Sequence, residues 1–451
     1  MKRFIANTAA RLARNSLVRN SAALITGTVA SQVILFLCSP LLSRTFSLAD
    51  FGNLANYNAW VTVLALLSCL RYEHAIIIAR DRPAMNRVIA LTIALCAASM
   101  VLYAAAAWGI YAFFSGAGYL ARIRGFVLLI PVGILPLCIF SPLSQLNVRL
   151  GQFRRLATVA TAQVIVTVAT QLVLGVRHIE GGLIFGAIAG SATAAVSLGI
   201  LTLDRTLMRE LRAEMRVAQL LKTAAEHIHF PRYTLTADAI NLVSQQFVPV
   251  LILALFDPAL AGLYAFSMRI IRAPLIVVAG AAQNALRKEG VDYLETPGGL
   301  KAIFVTTTKG LFAIGLIPFV LMLLFAKPIF TIVFGQQWVA AGHVVQILSP
   351  GILFEFVAFP LTVFFLLTNT QYFTLLTQTL GFVALLASFL VGKFYFHSFI
   401  ATCCMVSASM AFVNIATFVL ARRVADRQAP MIGDSVNALN PAARLVDATA
   451  D

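Results

Sequence analysis

The chain is a succession of long apolar runs separated by short polar connectors. A membrane-spanning helix needs about 20 mainly apolar residues, and twelve stretches reach that length. The first six lie near 20–43, 52–79, 86–114, 123–148, 156–176 and 181–203. The next six lie near 232–256, 260–284, 303–326, 339–368, 372–392 and 396–421. The longest polar connector, 204–231, falls between the sixth and seventh runs. Its apolar residues Met208, Leu211, Met215 and Leu220 fall near one stripe, so the spacing predicts an amphipathic helix on the membrane surface. The pattern therefore predicts an all-α polytopic membrane protein with about twelve transmembrane helices. They divide into two six-helix bundles, 1–203 and 232–421, around a central cavity. The 204–231 linker is expected in the cytoplasm, and the polar tail 422–451 is expected to be disordered.

The two halves carry a faint repeat. SLADFGNLANY precedes the second span and DPALAGLYAFS precedes the eighth, placing Gly52 and Gly262 at matching points. Paired halves are common in secondary transporters, with the substrate site near the midplane between them.

Composition strengthens the membrane reading. Hydrophobic residues make up 60% of the chain and charged residues 12%, against about 45–50% and about 25% in soluble domains. The 34 Lys+Arg outnumber the 18 Asp+Glu. In a soluble protein such a balance points to nucleic acid, but here the cations sit in connectors between apolar runs. Arg11, Arg82, Arg154, Arg212, Lys288 and Arg423 fall on one side with many others. Only Arg44, Arg122, Arg124, Arg177, Lys327 and Lys393 fall on the other. Cations concentrate on the cytoplasmic side, which puts both termini there, as an even span number requires. The basic N-terminus precedes an apolar run too long for a signal peptide's core, so that run is read as a retained first helix. The six cysteines, Cys38, Cys69, Cys96, Cys138, Cys403 and Cys404, lie within apolar runs without metal-ligand spacing. They read as buried thiols acting as small hydrophobes.

Ionisable residues inside spans cost about 3 kcal/mol at the bilayer centre and usually face a cavity. The second span carries Arg71, Glu73 and His74, and the eighth carries Arg269 and Arg272. The seventh carries Asp238, Asn241, Ser244 and Gln245 on one stripe, and Glu355 stands in the tenth. No acid lies within a helical turn of Arg269 or Arg272. Arg71, Arg269 and Arg272, with Asn241 and Gln245, are therefore expected to line a cationic cavity suited to phosphate, which guanidinium groups match in two-point geometry. Asp238, Glu355 and Glu73 are the candidates for coupling to an ion gradient. Prolines within many spans, among them Pro274, Pro350 and Pro360, permit bends. No phosphate-binding loop, HExxH or GxSxG is present, and the outer loops are short. The chain reads as a carrier rather than an enzyme, needing no cofactor or metal.

Three stretches resemble the polysaccharide (O-antigen-type, Wzx-type) flippases of the multidrug/oligosaccharidyl-lipid/polysaccharide exporter superfamily. They are TGTVASQVILFLCSPLLSRTFSLADFGNLANYNAW at 26–60, LRYEHAIIIARD at 70–81, and HFPRYTLTADAINLVSQQFVPVLILALFDPALAGLYAFSMRIIRAPL at 229–275. The resemblance implies alternating access between two bundles and a substrate of oligosaccharide on undecaprenyl diphosphate. It also implies carriage from the cytoplasmic to the periplasmic leaflet of the bacterial inner membrane, for O-antigen, capsule or exopolysaccharide synthesis. A polysaccharide polymerase and a chain-length regulator are the protein partners the resemblance implies; nucleic acid is not among the partners. Because the third stretch holds two arginines, either Arg269 or Arg272 matches the family's arginine. Other readings stay open: a flippase for lipid-linked peptidoglycan precursor, a multidrug or cation antiporter, and a membrane polysaccharide polymerase or ligase.

Overall fold

Lipid offers backbone groups no hydrogen bonds, so each apolar run must satisfy its own N–H and C=O groups. The computed structural model shows the result. It describes residues 16–113, 119–294, 298–368 and 370–439, and side chains over most of 27–426. Among the described residues all regular structure is helical. Seventeen α-helices follow in order among these residues: α1 Ser16–Thr45, α2 Leu48–Cys69, α3 Ala75–Ile78, α4 Arg82–Phe113, α5 Tyr119–Ile123 and α6 Leu129–Arg149. Then come α7 Phe153–Val176, α8 Gly182–Thr202, α9 Arg205–Glu214, α10 Val217–Glu226, α11 Leu235–Leu255 and α12 Pro258–Leu294. The chain continues with α13 Gly299–Phe334, α14 Val339–Leu361, α15 Val363–Leu367, α16 Tyr372–Phe394 and α17 Phe399–Leu439.

Each of the twelve expected spans falls on helix, the second and the tenth being divided between two or more segments. Among the described residues, eight helical segments are long and apolar enough to cross a membrane, or up to ten when each bent pair counts as one span. The shorter apolar segments Val29–Thr45 and Gln246–Leu255 lie in the first and seventh expected spans.

Three expectations need correction. The second span is not one helix: α2 ends at Cys69 and the chain turns by 61° into Tyr72–Ile78. The 204–231 connector is two helices, α9 and α10, broken at Met215–Arg216. Its buried stripe is Leu207 and Leu211, packed on Val88, Ile89 and Leu146, while Met208 and Met215 are exposed. Docking against α4 chooses this stripe, and Arg82 and Asn86 both donate to the Glu210 carboxylate, at 3.0 and 2.8 Å. Lastly, the polar tail is helical rather than disordered as far as Leu439. Asp426 accepts ion pairs from Lys301 at 3.3 Å and Arg422 at 3.8 Å, which hold the start of this extension. Residues 440–451 lie outside the described ones.

The chain divides into two compact units, Met1–Ala265 and Phe266–Asp451. The first reaches past the 204–231 linker because α11 packs on α2. Gly52 and Gly262, the matching points of the faint repeat, meet within this unit. A Cβ on Gly52 would collide with the Pro258 carbonyl, and one on Gly262 with the Leu48 carbonyl. Two helices approach this closely only where neither carries a side chain, as small-residue crossings in membranes do. In the second unit an aromatic cluster joins α12 to α13 and α14. Phe266 stacks on Trp338 with centroids 4.0 Å apart and meets Phe334 edge-on at 5.1 Å.

Candidate functional site

The intramembrane charges fall into one cluster in each unit. In the first unit, Leu70 and Arg71 both take left-handed backbone angles, φ 48° and 62°. Neither is glycine, and a left-handed conformation costs such residues about 1–2 kcal/mol each. Two in succession end α2 and swing the chain into the short turn Tyr72–His74 and α3. Backbone strain of this kind persists where surroundings enforce it and gathers at working sites. The surroundings are identifiable. Tyr72, 3% exposed, donates to the Ala224 carbonyl at 3.1 Å, and Arg149 donates to the Ile76 carbonyl at 2.6 Å.

The break aims Arg71 at two acids. Its Nη1 lies 3.4 Å from Glu73 Oε1, and its Nε lies 2.8 Å from Asp238 Oδ2 on α11. The Asp238 contact is an ion pair by distance but not a well-directed hydrogen bond. Glu73 is 2% exposed, and its Oε2 accepts no hydrogen bond among the described residues. Asn241 and Gln245 lie on α11, but their side chains are outside the described residues.

In the second unit, Arg272 of α12 reaches Glu355 of α14. Its Nη2 lies 2.9 Å from Oε1 and 2.7 Å from Oε2, with both side chains about one-third exposed. Phe266 on Trp338 fixes the helix pair, and the Ser267 hydroxyl donates to the Ala341 carbonyl at 3.1 Å. Glu355 sits one turn beyond Gly351, whose N–H donates to Ser407 Oγ of α17 at 3.3 Å. Just past Arg272, α12 bends by 48° between Ala273 and Val277, where the sequence places Pro274.

These contacts revise the charge map drawn from the sequence. Arg272 is not a cation far from any acid, and Glu355 does not stand alone: they pair with each other across 83 residues. Asp238 likewise holds Arg71. All three candidate coupling acids therefore sit directly on candidate substrate arginines. Arg269 is half-buried on α12 and has no ion pair among the described residues. The sequence missed one contributor, Arg122. It lies at the end expected to be poor in cations and donates to the Leu253 and Phe256 carbonyls, capping α11. A basic residue at a helix C-terminus satisfies its orphan carbonyls, yet nothing local marks Arg122 as the partner of a helix 131 residues away.

The cysteines also depart from expectation. Cys404 is exposed and Cys38 half-buried, so the six are not uniformly buried. Cys69, Cys96 and Cys138 converge from α2, α4 and α6.

Residues 17–286 match the protein family described as Polysaccharide biosynthesis protein. Curated protein sequences give no match. Several solved structures share the fold. An inward-facing multidrug resistance MATE family transporter of the MOP superfamily is 13% identical with a TM-score of 0.61, over 90% of this chain and 95% of that one. The lipid II flippase MurJ, in an inward closed conformation, is 10% identical with a TM-score of 0.60, over 88% and 86%. A MOP superfamily transporter from Pyrococcus furiosus is 11% identical with a TM-score of 0.54, over 93% and 98%. At these identities the likeness establishes the fold alone.

Proposed function

The chain belongs to the polysaccharide biosynthesis protein family, and from that premise we propose that it is a flippase for undecaprenyl-diphosphate-linked oligosaccharide repeat units. It carries them from the cytoplasmic to the periplasmic leaflet of the bacterial inner membrane by alternating access, with both termini in the cytoplasm. The product feeds surface polysaccharide synthesis, whether O-antigen, capsule or exopolysaccharide. A polysaccharide polymerase and a chain-length regulator are the natural partners downstream.

The Arg272–Glu355 pair supports this reading most directly. A guanidinium inside a membrane helix is held at 2.7–2.9 Å by a two-oxygen acceptor, and a phosphate group offers the same two oxygens. The carboxylate keeps the arginine charged and oriented until a diphosphate takes its place. Arg71 and Asp238 repeat the arrangement in the first unit. Arg269, unpaired among the described residues, is a third cation for the same chemistry, and Asn241 and Gln245 supply amides for sugar hydroxyls. Protonating Asp238 or Glu355 releases its arginine, which links substrate binding to a proton gradient; Glu73 acts as the fixed partner of Arg71. A cation exporter needs a carboxylate open to its substrate, and Asp238 and Glu355 are both engaged by arginine.

The test is genetic and chemical. Deleting the gene should abolish surface polysaccharide and leave lipid-linked repeat units in the cytoplasmic leaflet. Wild type should restore export and Arg272→Ala, at equal abundance, should not. Normal polysaccharide in the deletion strain would overturn the assignment.

A further inference from the structure

We propose that Cys69, Cys96 and Cys138 form a binding site for a soft, thiol-seeking metal ion, monovalent copper in particular. The three sulfurs come from three separate helices, α2, α4 and α6, and all lie within 4.8 Å of one another. Cys69 and Cys96 approach to 3.2 Å, well beyond the ~2.05 Å of a disulfide bond. All three residues are buried, at 2%, 7% and 3% exposure.

A lone buried cysteine is ordinarily a small hydrophobe. Three brought together from positions 27 and 42 residues apart are a different matter. A metal about 2.3 Å from each of three sulfurs sets them about 4 Å apart in a trigonal array, which a small adjustment of these side chains supplies. The donor set selects the ion. Thiolates favour copper(I), zinc and iron–sulfur clusters, but a structural zinc is almost always four-coordinate. Among the described residues no histidine or carboxylate joins the three sulfurs within the same radius. Copper(I) accepts three sulfurs.

A second observation bears on the same place. Glu73, four residues from Cys69 in the chain, is 2% exposed, and its Oε2 accepts no hydrogen bond among the described residues. A buried carboxylate oxygen left open this close along the chain is favoured by a cation at the neighbouring thiols. The thiols release protons as the ion binds, so affinity rises with pH. Cys69 is two residues from Arg71, which places an occupied site at the strained break itself.

The experiment uses the full-length protein, purified reduced in detergent and titrated anaerobically with copper(I) against a chromophoric copper(I) chelator. The expected result is one ion per chain, with X-ray absorption showing three sulfurs at about 2.3 Å. Cys96→Ser should weaken retention by more than the ~10–100-fold that loss of an outer-shell partner costs. Replacing Cys403 and Cys404 together by serine should leave it unchanged. Because a serine in the core can disturb folding, a second readout keeps the wild type intact. Copper(I) should protect Cys69, Cys96 and Cys138, but not Cys404, from prolonged N-ethylmaleimide alkylation read by mass spectrometry. Failure of the wild-type protein to retain copper(I) against the chelator would overturn the site. So would retention that survives Cys96→Ser, or zinc held in preference to copper(I).

Discussion

Arg71 and Arg272 each keep a carboxylate at contact distance, and this decides what a substitution at either does. Removing Arg272 leaves Glu355 unpaired in a membrane helix, and a hydrogen bond to a charged group is worth about 1.5–3 kcal/mol. Arg272→Ala should therefore lower thermal stability in detergent by roughly that amount as well as stop transport. Arg272→Ala combined with Glu355→Ala should recover most of the stability and none of the transport. If the double variant transports, the arginine is only a packing partner. Leu70 offers a second test. Its left-handed angle costs about 1–2 kcal/mol, and glycine's extra freedom in the unfolded chain takes back about 0.5–1. Leu70→Gly should be neutral or slightly stabilising in a thermal melt, whereas Leu70→Val should be clearly destabilising. The sequence exposed the charged residues themselves, because any ionised group within twenty apolar neighbours stands out. It did not expose their pairing. Arg272 and Glu355 are 83 residues apart, and a period of three or four residues sees only neighbours on one helix. Nor did it expose the break, since LRYE contains neither glycine nor proline.

At the scale of elements, the helices were legible because lipid enforces a length and a composition on each, and a helix satisfies its own backbone. Their docking was less legible. The stripe Leu207 and Leu211 is buried by α4 and α6 rather than by the membrane surface, so amphipathic spacing alone chose the wrong residues around Met208 and Met215. Gly52 and Gly262 were visible as a weak repeat, but their role as a crossing point appears only when the two copies meet. Because the atoms in the way are backbone carbonyls, neither helix can yield cheaply. Gly52→Leu should cost about 1–3 kcal/mol or more, as overpacking does, and should reduce the amount of folded protein recovered from membranes. Recovery equal to wild type would show the crossing to be slack. The linker carries a pH dependence. His227 caps α10 close to His229 and Phe230, with ring centroids 6.1 and 6.3 Å away. Burial, and then the charge of His229, hold its pKa below the usual histidine value, against a smaller opposing pull from Glu226. A histidine with a depressed folded pKa takes up protons more readily when unfolded. Its contribution is therefore complete above the unfolded value of about 6.5 and is lost as pH falls toward the folded one. Hydrogen-exchange protection at α10, corrected for the intrinsic exchange rate at each pH, should fall below about pH 6.5, and His227→Gln should flatten that response.

For the whole molecule, the fold was readable from hydropathy and its family from three short motifs. Function rests on how the charges are used. A carrier for a lipid diphosphate needs cations that are available yet never bare in the bilayer, and an arginine parked on a carboxylate answers both needs. Exchange of that carboxylate for phosphate is the central claim. The direct measurement is leaflet translocation, in proteoliposomes, of a fluorescent oligosaccharide on undecaprenyl diphosphate, with and without an imposed pH gradient. Wild type should flip it faster with the gradient. Glu355→Gln should lose most of that gradient dependence while still binding the lipid, and Arg272→Ala should flip no faster than protein-free vesicles. Translocation by Arg272→Ala at the wild-type rate would contradict the account.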